Sequence, residues 1–173
     1  SVKEAVHRAT CGKQCPVVMN VPKQITNPDE LFDVNYPEKA NIRSYNPPIK
    51  PENHQVSRAV DAILTADRPV IYAGGGTSSS NASNELRELN ELIDFPVTNT
   101  LMGLGVYPGT GKRFLGMLGM HGTYQANMAM HNADLIIAVG ARFADRITNT
   151  PENFAPKAKV IHFDVDHYLV SKI

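Results

Sequence analysis

The sequence predicts an α/β fold: a doubly wound parallel sheet covered by helices on both faces. Three observations lead there. Val70-Ile71-Tyr72-Ala73 and Leu135-Ile136-Ile137-Ala138-Val139 are apolar throughout rather than alternating, the pattern of strands buried on both sides. Segments of helical spacing lie between the strand-like runs. The runs end at Gly74, Gly140 and Asp164, residues suited to turns at a sheet edge.

Size and charge narrow the possibilities. A chain of 173 residues is one domain with trimmings. Seventeen basic and seventeen acidic residues balance, and there is no basic run, so neither nucleic acid nor an anionic membrane is an expected partner. Apolar runs such as Leu135 to Val139 are too short to span a bilayer, and the first thirty residues lack a signal-peptide hydrophobic region. The chain opens on Ser1 and closes on Ile173 in mid-pattern, as a piece of something longer would. Two cysteines point to a reducing, cytoplasmic compartment. With His7, Cys11 and Cys15 form H-x3-C-x3-C. Gly12 and Pro16 interrupt the helix that would align them, and structural zinc takes four ligands, so two ordinary thiols are expected and no metal site.

In chain order, Val2 to Ala9 has helical spacing, stopped by Gly12, and 16–22 reads as a short strand between two prolines. Residues 1–23 look like the tail of a preceding domain. Residues 24–52 carry five prolines (28, 37, 47, 48 and 51) and read as a semi-stiff linker, with Tyr36 and Tyr45 pinning it to a surface. The main domain is 53–173. In it Val56, Val60, Ile63 and Leu64 stripe a helix from His54 to Ala66. Val70–Ala73 is a strand, Gly74-Gly75-Gly76 a turn, and Ser80 or Asn81 the cap of a helix whose inner face is Leu86, Leu89 and Ile93. Pro96–Asn99 is the next strand. Thr123–Asn132 is helical, with Ala126, Met130 and Ala133 on one face, and Leu135–Val139 and Val160–Phe163 are the last strands.

Between them, Asn99 to Gly122 holds seven of the twelve glycines (103, 105, 109, 111, 116, 119 and 122). Each would cost roughly 1 kcal/mol in a helix, so this is no long helix. It suits the wall of a site for a large, flat, partly anionic ligand, since no acidic residue occurs from Phe95 to Ala133.

In a parallel sheet ligands bind beyond the carboxyl ends of the strands. Those ends are Gly74-Gly75-Gly76, Asn99 to Gly103, Gly140-Ala141-Arg142 and Asp164-Val165-Asp166. The glycine run either offers N–H groups to a phosphate or packs strand against helix. Arg142 and Arg146 either clamp an anion or pair with Asp145 or Glu152. Asp164 suits ribose hydroxyls. With Asp166 it could instead hold Mg²⁺, or Asp166 could cap a helix. His121, between glycines, either meets a ligand or satisfies turn carbonyls. No P-loop, G-x-S-x-G or Ser-His-Asp arrangement is present.

Long segments then match a known family in order: Thr100-Leu101-Met102-Gly103-Leu104-Gly105, Leu118-Gly119-Met120-His121-Gly122-Thr123, Gly140-Ala141-Arg142-Phe143, Asp145-Arg146, 154–159 and 162–166. From residue 56 to 170 the chain resembles the central domain of the acetohydroxyacid (acetolactate) synthase large subunit. The resemblance implies a Rossmann-like domain of the DHS-like FAD/NAD-binding type. It follows a preceding pyrimidine-binding-type domain, whose last helix and strand would be 1–23. It also implies a parent enzyme that uses thiamine diphosphate, Mg²⁺ and FAD to decarboxylate pyruvate and join the two-carbon unit to a second 2-keto acid, the entry to branched-chain amino acid synthesis. In such enzymes the flavin lies along this domain without net redox work. Its contacts would fall on Gly75, Thr100, Leu101, Leu118, Gly119, Met120, His121, Gly140, Ala141, Arg142 and Asp164. Asp145 and Arg146 would lie near the substrate channel. The parent would be a homo-oligomer with a small regulatory subunit.

Three positions depart from the family pattern. Lys13 stands for an arginine that helps hold the flavin, keeping its charge but not its planar fork. Ala144 stands for an aspartate and His167 for a proline. The thiamine-diphosphate motif and the activating glutamate are absent, and by the resemblance they belong to N- and C-terminal domains outside this chain. The alternative is a central scaffold domain of a related thiamine enzyme that binds another nucleotide or none. Incubated alone with pyruvate, thiamine diphosphate and Mg²⁺, the chain is expected to form no acetolactate; a colorimetric acetoin assay checks this.

Overall fold

The computed structural model describes every residue except Ser1, Asn35, Pro48, Ile49, His167, Tyr168 and 171–173, so the departure at His167 and part of the expected linker lie outside the described residues. The chain divides into two compact units, Ser1–Lys50 and Pro51–Ile173. The expected domain tail, 1–23, and all but the last two residues of the expected linker, 24–52, fall in the first unit.

In the first unit, α1 spans Val2–Thr10 and ends at Gly12, whose φ of +62° suits glycine. Cys11 Sγ lies 3.3 Å from His7 Nδ1, and Cys15 is exposed. The expected strand at 16–22 does not form. Val18 is 95% exposed, and among the described residues no segment pairs with this stretch; a strand needs a ladder partner to satisfy its main chain. Lys23–Thr26 is one 3₁₀ turn. Tyr45 pins its segment as expected: its hydroxyl donates to the Cys11 carbonyl, and the Arg8 guanidinium lies 5.3 Å over its ring. Tyr36 does not, being 86% exposed.

The second unit holds α2 (Asn53–Thr65), β1 (Pro69–Ala73), α3 (Gly75–Ser79), α4 (Ser83–Ile93), β2 (Val97–Asn99), β3 (Phe114–Met117), α5 (Tyr124–His131), β4 (Leu135–Val139), α6 (Asp145–Thr148) and β5 (Lys159–Phe163). The five strands form one parallel sheet in the order β3-β2-β1-β4-β5. The chain winds outward from β1 to β3, returns, and continues on the other side of β1. That reversal is the switch point of a doubly wound sheet.

Alternate residues of the central strands feed two separate cores. Val70, Tyr72, Ile136 and Ala138 pack on one face with Met130 and Ala133 around α5. Ile71, Ala73, Leu135 and Ile137 pack on the other with Leu86 of α4 and Ile63 of α2. Continuous apolar runs are therefore required, because neither face meets water. The α2 stripe is only partly used: Ile63 packs inward while Leu64 is 77% exposed.

Three local expectations are corrected. Gly74-Gly75-Gly76 is not merely a turn: Gly74 is the N-cap and Gly75 already opens α3. Neither Ser80 nor Asn81 caps α4; Ser80 ends α3, Asn81 adopts φ +57°, and Ala82 precedes α4. The glycine-rich stretch contains an unexpected strand, β3. Gly116 within it has φ +90°, and the β2–β3 register shifts between Val97 and Asn99. The bulge admits a glycine that strand propensity would reject.

Asp134 ties the amino ends of three strands. Its carboxylate accepts from the N–H groups of Asp67 at 2.8 Å and Arg68 at 2.9 Å, and its carbonyl accepts from Lys159 N–H at 2.8 Å. Burial works to raise its pKa, but the main-chain donors and the nearby Arg68 outweigh it and hold the carboxyl below the usual 3.8. A depressed pKa gives stability that is fully present above the ordinary carboxylate range and is lost as pH falls through the folded-state value. Asp134→Ala is expected to cost about 1 kcal/mol at neutral pH, since both bonds are open to solvent, with the difference from wild type shrinking below about pH 4; urea melts at both pH values check this.

Candidate functional site

Because all strands run parallel, their carboxyl ends lie along one edge of the sheet. Gly75, Thr100, Leu101, Leu118, Gly140, Ala141, Arg142 and Asp164 all follow strand ends on that edge. Hydrogen bonds join the turns in series. Thr100 N–H donates to Ala73 O (2.9 Å), Leu118 N–H to Asn99 O (3.1 Å), Gly76 N–H to Gly140 O (2.9 Å) and Gly140 N–H to Phe163 O (2.8 Å).

The glycine run serves packing more than phosphate binding. Gly74 N–H donates to Val139 O and Gly76 N–H to Gly140 O, both at 2.9 Å, so two of its three N–H groups are occupied. A Cβ on Gly74 would stand 2.3 Å from Gly140 O, and one on Gly76 2.7 Å from Gly140 Cα. Gly103 sits against β1 in the same way, its ideal Cβ 2.4 Å from Ala73 O. Gly75, partly exposed, meets Met102, whose Cβ would lie 3.0 Å from its own.

The rim is apolar and open. Leu101, Met102 and Leu104 are exposed, and Met120 is 71% exposed. His121 is exposed and bonds no turn carbonyl among the described residues. Arg142 and Arg146 are exposed, and among the described residues neither forms an ion pair, so the alternative of pairing with Asp145 or Glu152 is not realised. Asp145 Oδ1 instead accepts the Arg146 N–H at 2.9 Å, at the start of α6.

Asp164 is nearly buried. Its Oδ1 accepts the Asp166 N–H at 2.9 Å, and its Oδ2 lies 3.7 Å from His162 Nε2. That imidazole nitrogen is 3.0 Å from Ala141 O, so it carries a hydrogen and fixes the 140–142 turn. Leu169 N–H bonds Asp166 O at 3.0 Å, and the helix that Asp166 could cap lies outside the described residues. Among the described residues no group of three His, Cys, Asp or Glu is placed to hold a metal.

Three polar residues escaped the sequence reading. Thr77 Oγ1 donates to Val139 O at 2.8 Å beneath the edge. Asn99, fully buried, donates through Nδ2 to Gly103 O at 2.8 Å, while its Oδ1 is without a partner among the described residues. Asn127 bonds both main-chain groups of Gly119. An asparagine ending an apolar strand was the available signal for Asn99; nothing in spacing marks the others. Tyr72 is a further buried polar group. Its hydroxyl has no partner among the described residues, and burial pushes its pKa well above the usual phenol range.

Two cavities lie in the second unit, the smaller reaching Leu118 on the carboxyl edge. One of about 390 Å³ is bounded by Ile136, Phe154, Pro156 and Val160. The other, about 300 Å³, lies between α5 and the 147–155 segment.

An all-parallel sheet that winds both ways from a switch point, with its strand-end turns along one edge, defines a Rossmann-like doubly wound domain. The chain matches the family described as thiamine pyrophosphate enzyme, central domain, over residues 56–173, and it belongs to that family. It is 45% identical over 172 residues to the acetolactate synthase large subunit of Haemophilus influenzae, covering 99% of this chain. It is 49% identical over 170 residues to that of Buchnera aphidicola, and 45% identical over 171 to the acetolactate synthase isozyme 3 large subunit of Escherichia coli. The chain spans about 30% of the length of each of these relatives.

The packing at the switch point is directly testable. Gly74→Ala places its methyl against main chain that has no rotamer to yield, and is expected to cost more than about 2 kcal/mol or abolish soluble expression. At Gly109 the nearest atom to an added Cβ is 4.0 Å away, and Gly109→Ala is expected to stay within about 0.5 kcal/mol of wild type; thermal melts of the pair decide.

Proposed function

We propose that this chain is the FAD-binding central domain of an acetolactate synthase large subunit. Full-length, that enzyme decarboxylates pyruvate and joins the two-carbon unit to a second 2-keto acid. Thiamine diphosphate and Mg²⁺, supplied by domains outside this chain, provide the carbanion chemistry. Residues 1–23 then belong to the preceding domain and 24–52 to the linker. The parent is a cytoplasmic homo-oligomer with a small regulatory subunit; the E. coli relative's name, a large subunit, supports a small partner.

The observation that carries the flavin reading is the fit of the carboxyl edge to a dinucleotide. Gly75 lies partly exposed beside Met102, the Leu118–Gly122 turn carries the exposed Met120 and His121, and the acid-free stretch from Phe95 to Ala133 repels no phosphate. Arg142, exposed and without an ion-pair partner among the described residues, suits the pyrophosphate. Asp164 retains an oxygen for a ribose hydroxyl. Leu101, Met120 and His121 suit the flat ring, with Thr100, Leu118, Gly119, Gly140 and Ala141 supplying main-chain contact. FAD there adds a rigid, planar surface rather than a redox step. Arg146, exposed beside Asp145, would meet the carboxylate of a keto acid.

The test is retention of flavin. Purified chain mixed with FAD and desalted is expected to stay yellow, and Arg142→Ala to weaken affinity about tenfold, the loss of one charge-assisted contact. A colourless wild-type chain would favour the scaffold reading instead.

A further inference from the structure

We propose that Asn127 is a positioning residue for the carboxyl edge: its side-chain amide clamps Gly119 and so fixes the Leu118–Gly122 turn that carries Met120 and His121. As a role toward the flavin, this rests on the reading above.

The clamp is two-sided. Gly119 N–H donates to Asn127 Oδ1 at 3.2 Å, and Gly119 O accepts from Asn127 Nδ2 at 3.1 Å. One planar amide thus pairs with both main-chain groups of one residue, as a strand neighbour would in a ladder. Nδ2 also donates to Thr123 O at 2.9 Å, and Gly122 N–H closes the turn onto Gly119 O at 2.9 Å. Gly119 has φ +106°, which disfavours any other residue. On its other side an ideal Cβ would stand 3.1 Å from the Ile147 side chain and 3.3 Å from Arg146 O. The turn is therefore wedged between α5 and α6.

The mount is rigid. Asn127 lies on α5 one turn past its cap Thr123, whose hydroxyl donates to Leu115 O at 2.5 Å and accepts from Ala126 N–H at 3.2 Å. Ala126 and Met130 anchor the same helix in the core. Met120 and His121 themselves are exposed, and no side-chain hydrogen bond among the described residues holds His121. Their placement is thus inherited from the main chain, and the amide of Asn127 sets that main chain.

The experiment uses the whole chain with two independent readouts: amide hydrogen exchange at Gly119 by NMR, and FAD affinity by quenching of flavin fluorescence. Asn127→Ala is expected to speed Gly119 exchange at least about tenfold while leaving β4 amides protected, and to weaken FAD about tenfold. Asn127→Asp keeps the acceptor for Gly119 N–H but loses both donor bonds and adds an anion to an acid-free region. With a carboxylate oxygen then facing the Gly119 and Thr123 carbonyls, it is expected to speed Gly119 exchange and to weaken FAD at least as much as Asn127→Ala. Asn132→Ala, which removes a similar bond from the same helix to Met128 O at 2.8 Å, is expected to change neither. Unchanged Gly119 exchange in Asn127→Ala overturns the clamp. Faster exchange with undiminished FAD affinity overturns the positioning role. If wild type fails to bind FAD, the flavin reading falls, and with it the role toward flavin, while Gly119 exchange still decides the clamp.

Discussion

The architecture of the second unit depends on one close contact, main chain against main chain, where the turn after β1 meets the turn after β4. Gly74 and Gly76 bond Val139 and Gly140 with no side chain between them. The contact sits at the point where the winding direction reverses. There the two central strands must end level with each other, and any added carbon would drive them apart. From it follow the even edge, the seating of α3, and a 140–142 turn that buries Ala141 and exposes Arg142.

Around that contact the molecule uses one device repeatedly: a polar side chain beneath or beside a turn replaces the ladder partner the turn has lost. Asn99 does this for Gly103, His162 for Ala141 and Asn127 for Gly119. Each bond is worth only about 1 kcal/mol net, but an unpaired buried carbonyl costs more than that. The turns are held from below, so their upper surfaces need no internal bonding and remain free for a ligand. Holding a loop from behind is a common way to combine exposure with order.

Most of this was legible in the residues, and the exceptions have physical causes. The central strands announced themselves because burial on both faces leaves no polar position to confuse the reading. The helices around Leu86 and Met130 followed from spacing. β3 did not, since Phe114-Leu115-Gly116-Met117 is a half-buried edge strand whose bulge tolerates a left-handed glycine. The segment 16–22 failed in the opposite sense. It has the composition of a strand, but strand formation is a property of pairs, and no sequence window reports whether a neighbour exists. At the edge, the glycines were visible but their purpose was ambiguous between ligand and backbone. Only coordinates could assign Gly74 and Gly76 to packing, and only they could reveal Asn127, whose partner lies eight residues away around a turn.

The edge is also composite: its turns come from segments near residues 75, 101, 120, 142 and 164, scattered over most of the second unit. No isolated peptide, and no sheet lacking one strand, offers them side by side. A molecule that touches three of them at once therefore recognises only the assembled state, and mass action makes it a thermodynamic brace whose benefit grows with its concentration. A small solute would in this way do for the finished fold what a covalent cross-link does elsewhere, and do it reversibly.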